Sequence, residues 1–86
     1  MKPTKSEQAF RVALGDTIRD RRLARDWSQA VLARHASITQ ASVSNYEAGK
    51  RDVPLLTLGR LAVAFGVLPE TLIEEARTCA ARERAA

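Results

Sequence analysis

The side chains best suited to specific chemistry lie between positions 40 and 48, where several carry an amide or a hydroxyl. Gln40, Ser44 and Asn45 can each donate and accept hydrogen bonds, and Ala41 offers a methyl group. An amide can make a bidentate contact with an adenine edge, a hydroxyl can bond to several bases, and an alanine methyl can meet a thymine methyl. These residue types therefore suit contact with base edges in a DNA groove.

The spacing of these residues places them together if the segment is helical. At about 100° per residue, Val43 and Tyr46 fall on one side, which is apolar. The opposite side lacks charge, although 28% of the chain is charged. A solvated polar surface is the alternative interpretation, but it does not explain the absence of charge. This uncharged side is formed by Gln40, Ala41, Ser44, Asn45 and Ala48.

Residues suited to bind phosphate flank this segment. Gln29 opens the preceding predicted helix, where its amide and the free backbone N–H groups could hold a phosphate. Lys50 and Arg51 follow the 40–48 segment and could hold another. The first 51 residues contain ten Lys or Arg and five acidic residues, whereas the remainder contains four and five. This asymmetry favours a polyanion contact in the front half of the chain.

Capping and breaking residues predict five helices and no strand. The predicted N-caps are Ser6, Ser28 and Thr39, and the first helix is expected to run from Glu7 to about Arg25. Two short helices joined by three or four residues, over 29–36 and 40–48, predict a helix-turn-helix unit. The fourth helix ends at Gly66, and Pro69 opens the fifth.

Apolar spacing predicts which faces point inward. In the first helix the inward stripe is Phe10, Leu14 and Ile18, continued by either Leu23 or Arg22. Trp27 is expected to pack back onto the helices as a staple. The predicted inward residues of the fourth and fifth helices are Leu55, Leu58, Leu61, Ala62, Phe65, Leu72, Ile73 and Ala76.

Length and composition exclude several classes of protein. With 86 residues the chain forms one small domain, and no apolar run reaches the roughly 18 residues of a membrane span. No secretory signal is evident, and Cys79 is alone, so neither a disulfide within the chain nor a thiolate metal site is expected. We expect a cytoplasmic protein with no metal and no cofactor. His35 is the only histidine, and no catalytic constellation is evident, so an enzyme is not expected.

From Leu14 to Ile73 the sequence resembles the Cro/C1-type (XRE-like) helix-turn-helix family of phage repressors and bacterial regulators. The resemblance implies an all-α, compact five-helix bundle of the lambda-repressor-like DNA-binding type, with the helix-turn-helix at helices 2 and 3. The matching residues are Leu14-Gly15, Ile18, Arg22, Ser28-Gln29-Ala30-Val31-Leu32-Ala33, Ile38-Thr39-Gln40-Ala41-Ser42-Val43-Ser44, Tyr46-Glu47-Ala48-Gly49-Lys50-Arg51, Leu58, Leu61-Ala62 and Phe65-Gly66-Val67.

The resemblance also implies a role for each matching position. Gln40, Ala41, Ser44 and Asn45 would face bases, and Gln29, Ser42, Lys50 and Arg51 would contact phosphates. Gln29 would also brace Gln40, and Arg22 would pair with Glu47. The family usually has glycine where this chain has Asp26 and Ser37, so both positions are expected to need a positive φ.

The functional hypothesis is a sequence-specific double-stranded DNA-binding transcriptional regulator, a repressor, that binds a palindromic operator as a homodimer. The predicted dimer interface comprises Leu68, Leu72, Ile73 and Ala76. The alternative is an antitoxin-like module whose main partner is another protein bound through the C-terminal helix. No membrane contact and no small-molecule effector are expected. The predicted divisions are a flexible arm (1–6), the DNA-binding domain (7–76) and a helical extension or frayed tail (77–86).

Overall fold

The capping residues of the sequence set the boundaries of five α-helices in the computed structural model. The structure describes residues 2–85, with side chains through residue 82, and this part contains no strand. The all-α, five-helix prediction is confirmed. Met1 of the predicted arm and Ala86 of the predicted tail lie outside the described residues. The helices are α1 (Lys5–Ala24), α2 (Gln29–Ala36), α3 (Gln40–Glu47), α4 (Leu55–Phe65) and α5 (Pro69–Ala85).

The N-terminus of α1 differs from the prediction, because Thr4 rather than Ser6 is the N-cap. The Glu7 amide donates to Thr4 Oγ1 at 3.1 Å, and the Thr4 amide donates to Glu7 Oε1 at 2.8 Å. This reciprocal capping box satisfies two helix-end donors at once. Ser6 would have had Ala9 at the reciprocal position, which has no acceptor. The hydrogen bond from the Thr4 amide also holds the pKa of Glu7 below its usual value.

Two turns adopt the left-handed backbone that the sequence predicts. Asp26 has φ 56° and Ser37 has φ 57°, and both follow the last turn of a helix. Gly49 and Gly66, with φ 69° and 71°, end α3 and α4 in the same way at a lower steric cost.

The core lies where all five helices meet. Ile18, Leu32, Val43, Leu61 and Leu72 are its largest fully buried side chains, one from each helix. α1 packs against both α5 and α3, and α2 packs against α3 and α4. This arrangement supports α3 from behind and leaves its other side open.

The structure shows which of the predicted inward-facing side chains are buried. The inward position left open in α1 belongs to Arg22, which is buried, whereas Leu23 is exposed. The inward assignment of Leu55 is wrong, since 78% of the residue is exposed. α4 is apolar on nearly every side, so spacing alone could not select its buried face. Trp27 does pack inward, stacking on His35 with ring centroids 4.3 Å apart and approaching Phe65 at 6.3 Å.

The four residues predicted to form a dimer interface do not share a free surface. Leu72 and Ala76 are fully buried within this chain's own core, and Ile73 is half-buried. Only Leu68 is well exposed. The assignment of Leu72 and Ala76 to the interface is therefore corrected. α5 turns these side chains toward α1 and α4, so they have no surface that a second copy could contact.

Within the described residues, no single helix is both long enough and apolar enough to cross a membrane. The length and composition of α4 and α5 satisfy that test only when the two helices are joined across a 97° bend.

Candidate nucleic-acid interface

The outer flank of α3 is an uncharged surface open to solvent. Gln40, Ala41 and Ser44 are exposed, and Asn45 is half-buried at the edge of the same face. The opposite side of α3 is anchored in the core by fully buried Val43. The structure therefore brings the four predicted base-facing residues onto one accessible face.

The first turn of α3 is held by its cap. The Ser42 amide donates to Thr39 Oγ1 at 3.1 Å, and the Thr39 hydroxyl donates to Ser42 Oγ at 2.9 Å. Ser42 is half-buried. Its hydroxyl therefore accepts one hydrogen bond within the cap and keeps its own proton to donate elsewhere.

Behind α3, a pair of charged side chains joins the last turn of that helix to α1. Arg22 Nε lies 2.7 Å from Glu47 Oε2, and Arg22 Nη2 lies 2.9 Å from Glu47 Oε1. Only 10% and 5% of the two side chains are exposed. Arg22 Nη1 also donates to the Trp27 carbonyl oxygen at 2.8 Å. The hydrogen bonds to Glu47 raise the pKa of Arg22, and the bidentate geometry fixes the angle between the helices.

Gln29 belongs to the same network, which corrects one implied contact. Gln29 Nε2 donates to Glu47 Oε1 at 3.1 Å, so its partner is Glu47 and not Gln40. The buried carboxylate oxygens of Glu47 need hydrogen-bond donors, and the Gln29 amide supplies one. Gln40, in contrast, faces solvent. The side chain is half-buried beside the first turn of α2, where Ser28 Oγ caps the Val31 amide at 3.1 Å. The N–H groups of Gln29 and Ala30 precede these capping bonds, have no intrahelical partner and can donate to an anion.

The loop after α3 carries the two predicted phosphate-binding cations. Lys50 and Arg51 are both exposed. Next to them, Arg11 Nε donates to Asp52 Oδ1 at 2.7 Å and ties the loop to α1. Gly49 passes close to α1, since a Cβ at this position would lie 3.1 Å from Val12 Cγ2. The loop is therefore held against α1 with its cations directed outward.

Gly15 contributes to the site in a way that the sequence analysis missed. A Cβ at this position would collide with the Tyr46 carbonyl oxygen and lie 3.0 Å from that of Glu47. The backbones of α1 and α3 thus touch directly at Gly15. The Leu14-Gly15 pair belongs to the family resemblance, but spacing alone did not show which helix it would meet.

No group of three or more His, Cys, Asp or Glu side chains that could hold a metal ion occurs in the part of the chain that the structure describes. The α3 flank combines an open polar face with the exposed cations Lys50 and Arg51 beyond its end. It can accept and donate hydrogen bonds at its centre and bind anions at its ends.

Comparison with known proteins places this geometry in context. A family model described as a helix-turn-helix domain matches residues 13–76. The restriction-modification controller protein C.AhdI from Aeromonas hydrophila is 33% identical, with a TM-score of 0.69 over 71% of this chain and 92% of that chain. The clp gene regulator ClgR from Corynebacterium glutamicum is 25% identical, with a TM-score of 0.82 over 88% of this chain and 81% of that chain. None of the curated proteins compared matches the chain.

Proposed function

The chain belongs to the helix-turn-helix domain family, and we propose that this DNA-binding regulator recognises a specific double-stranded sequence with α3. It acts in the cytoplasm as a transcriptional repressor, and two copies bind one palindromic operator. The two α3 helices then enter successive major grooves about 34 Å apart.

The observation that carries this proposal is the exposed, uncharged flank of α3 between two anion-binding edges. A carboxylate on this flank would be repelled by the phosphate walls of a groove, and a bulky side chain would block entry. The flank has neither, although acidic residues occur elsewhere in the chain. Its amides, hydroxyl and methyl match the hydrogen-bonding and methyl groups of base edges in the major groove.

The centre of the flank and its two edges have different proposed roles. Gln40, Ala41, Ser44 and Asn45 read bases, because they share the open face of α3. Gln29 and Ser42 bind phosphate at the helix starts, since each retains a donor outside its contacts within the chain. Lys50 and Arg51 bind phosphate beyond the end of α3. Contacts to phosphate fix the register of the protein, and contacts to bases supply the sequence preference.

Binding as a pair follows from the small size of the module. One α3 can contact only a few base pairs, which is too few for tight specific binding. Two copies related by a two-fold axis double the contacts and impose a matching symmetry on the operator.

Selection of bound duplexes from a random pool tests the proposal. We expect an enriched motif with two inverted half-sites, and a mass in solution or on the duplex that corresponds to two chains. The double variant Gln40→Ala/Asn45→Ala serves as the matched control, because it keeps the phosphate contacts and should lose the enrichment. A pool that shows no preferred sequence with the unsubstituted protein would contradict the proposal.

A further inference from the structure

We infer that Arg19 of α1 is a further DNA contact, which binds a backbone phosphate at the edge of the α3 flank. The inference rests on the proposed function, because it adds a contact to the same interface. Arg19 lies outside the helix-turn-helix unit of α2 and α3, so the contact extends the interface onto a third helix.

Arg19 lies on the side of α1 that meets the end of α3. Gly15, four residues earlier, lies directly against the α3 backbone at the Tyr46 and Glu47 carbonyl oxygens. Arg22, three residues later, pairs with Glu47. Residues three and four apart are neighbours on one face of a helix. Arg19 is therefore set between two contacts that fix α1 against α3.

A small cleft of about 270 Å³ opens beside Arg19, with walls supplied by α1, α2 and α3 and the residue that follows α3. Ala48 is exposed, and its short side chain leaves the mouth of the cleft open. Gln29 and Ser44, which are proposed to bind phosphate and to read a base, lie in the same wall. The lining residues are Arg19, Arg22, Gln29, Ser44, Glu47 and Ala48.

Arg19 differs from the other arginines of α1 in having no partner. Arg11, Arg21 and Arg22 each donate to the carboxylate of an Asp or Glu. Arg19 is exposed, and it forms no hydrogen bond or ion pair with any residue that the structure describes. Its guanidinium is therefore free to bind a group from outside the chain.

The acidic residue in the cleft does not compete for Arg19. The carboxylate of Glu47 accepts two hydrogen bonds from Arg22 and one from Gln29, and only 5% of the side chain is exposed. The neighbouring acid Asp20 lines a different cleft, between α1 and α5. The cleft thus presents one uncompensated positive charge, which favours an anion.

A backbone phosphate is the anion that the position of the cleft favours. The planar guanidinium of arginine can donate two parallel hydrogen bonds to phosphate oxygens. In a major groove, base edges form the floor, which the α3 flank would face, and phosphates form the walls. Arg19 projects from α1 beside that flank, so it meets a wall. The contact anchors α1, the helix that supports α3, directly to the duplex and helps to fix the register of the protein.

Arg19→Ala tests the inference, with Arg77→Ala as its matched control. Arg77 is also exposed and without a partner among the described residues, but it lies on α5 and does not line the cleft. In anisotropy titrations with random duplexes, Arg19→Ala should weaken binding about three- to tenfold and reduce the salt slope by about one per copy. Arg77→Ala removes the same charge and should leave the salt slope unchanged.

Thermal unfolding separates this role from a structural one. Arg19 has no partner within the described chain, so Arg19→Ala should unfold at the same temperature as the unsubstituted protein. Arg19→Lys keeps the charge and should keep most of the salt slope. If Arg19→Ala fails to fold, Arg19→Gln takes its place, since glutamine is polar and uncharged.

An unchanged salt slope in Arg19→Ala would overturn the inference. A loss of affinity confined to the selected operator would also overturn it, because Arg19 would then read a base and not a phosphate. Failure of the proposed function looks different. The unsubstituted protein would then prefer no duplex sequence, while the effect of Arg19→Ala on the salt slope could still be measured.

Discussion

At the scale of single residues, α3 and the loop after it carry two kinds of side chain. Some can distinguish bases by hydrogen bonding, and others can only bind the charge of a phosphate. Asn45 and Gln40 present amides on the exposed flank, and Arg51 presents a cation beyond its end. An amide gains its partner only at a suitable base, whereas a guanidinium gains one at any phosphate. Substituting an amide should therefore lower DNA affinity in a way that depends on the duplex sequence, whereas substituting a cation should lower it in a way that depends on the salt concentration.

We expect Asn45→Ala to lower affinity for the selected operator by about 1–3 kcal/mol and to leave binding to random duplexes nearly unchanged. Arg51→Ala should weaken binding to every duplex and reduce the salt slope by about one per half-site. Anisotropy titrations of operator and scrambled duplexes at several salt concentrations measure both effects. If Asn45→Ala weakens all duplexes equally, Asn45 does not read a base.

Two ion pairs of similar chemistry differ in burial and should differ in their contribution to stability. Glu47→Ala leaves Arg22 buried without its partner, and we expect a loss of about 3–5 kcal/mol in the free energy of unfolding. Glu75→Ala serves as the control, because Glu75 and Arg21 are more exposed, at 40% and 23%, and should lose less than about 1 kcal/mol. Urea denaturation followed by circular dichroism compares the two variants. Equal losses would show that burial does not set the strength of the Arg22 pair.

At the scale of elements, α1 is the platform against which α3 and its following loop are set. Gly15 meets the end of α3, Val12 meets the loop at Gly49, and Arg11 holds Asp52. These three contacts recur along one side of α1. The position of the DNA contacts proposed on α2, α3 and the following loop thus depends on α1.

Gly15→Ala tests the closest of these contacts, and Gly59→Ala is its matched control. An added methyl at Gly15 meets backbone carbonyls, which cannot rotate away, so we expect a loss of about 1–3 kcal/mol in stability and weaker operator binding. A methyl at Gly59 meets no atom within 4 Å, and in dilute solution it should stabilise α4 by about 0.5–1 kcal/mol. Thermal unfolding measures both. A neutral Gly15→Ala variant would show that α1 and α3 can separate freely.

Asp52→Asn gives a test in which two effects have opposite signs. Simple electrostatics predicts tighter DNA binding, because a carboxylate next to Arg51 is removed. The charge-assisted hydrogen bond from Arg11 predicts weaker binding, by about two- to fivefold, because the neutral amide oxygen of Asn accepts a weaker hydrogen bond and holds the loop to α1 less firmly. We expect the second outcome in titrations with random duplexes, with Glu74→Gln as an acid removed far from the loop. Tighter binding by Asp52→Asn would mean that the tie does not position the loop.

Local patterns predicted most of the elements, and their errors have physical causes. Ser28 and Thr39 can be identified as N-caps from the sequence because each directly precedes a helical segment. Thr4 was missed because Ser6 is also a good cap, and only the reciprocal bond from Glu7 decides between them. The correct partner of Gln29 depends on how far Glu47 is buried, which is a property of the whole core and is invisible in a sequence.

At the scale of the whole molecule, the basic charge and most of the exposed apolar surface occupy different parts of the chain. The proposed DNA contacts lie between residues 19 and 51, where basic residues are in excess. The exposed apolar residues Leu55, Leu56, Val63 and Leu68 lie on α4 and in the turn that follows it. The proposed DNA contacts and this apolar surface therefore do not overlap.

The charge arrangement predicts how binding of the unsubstituted protein depends on salt. Lys50 and Arg51 should together contribute about −2 per copy to the slope of log affinity for random duplexes against log salt. Filter-binding or anisotropy measurements at several salt concentrations give this slope. The double variant Lys50→Ala/Arg51→Ala should remove this contribution, and a slope that does not change would place the phosphate contacts elsewhere.

The open flank of α3 has a consequence for how the target of this protein can change over generations. The hydrogen bonds between α1 and α3 are made by Arg22 and Glu47 on the reverse side of α3, whereas Gln40, Ala41 and Ser44 are exposed on the flank. Mutations on the flank can therefore accumulate with little loss in the free energy of unfolding. Such a scaffold is free to acquire new operators while its architecture is inherited unaltered.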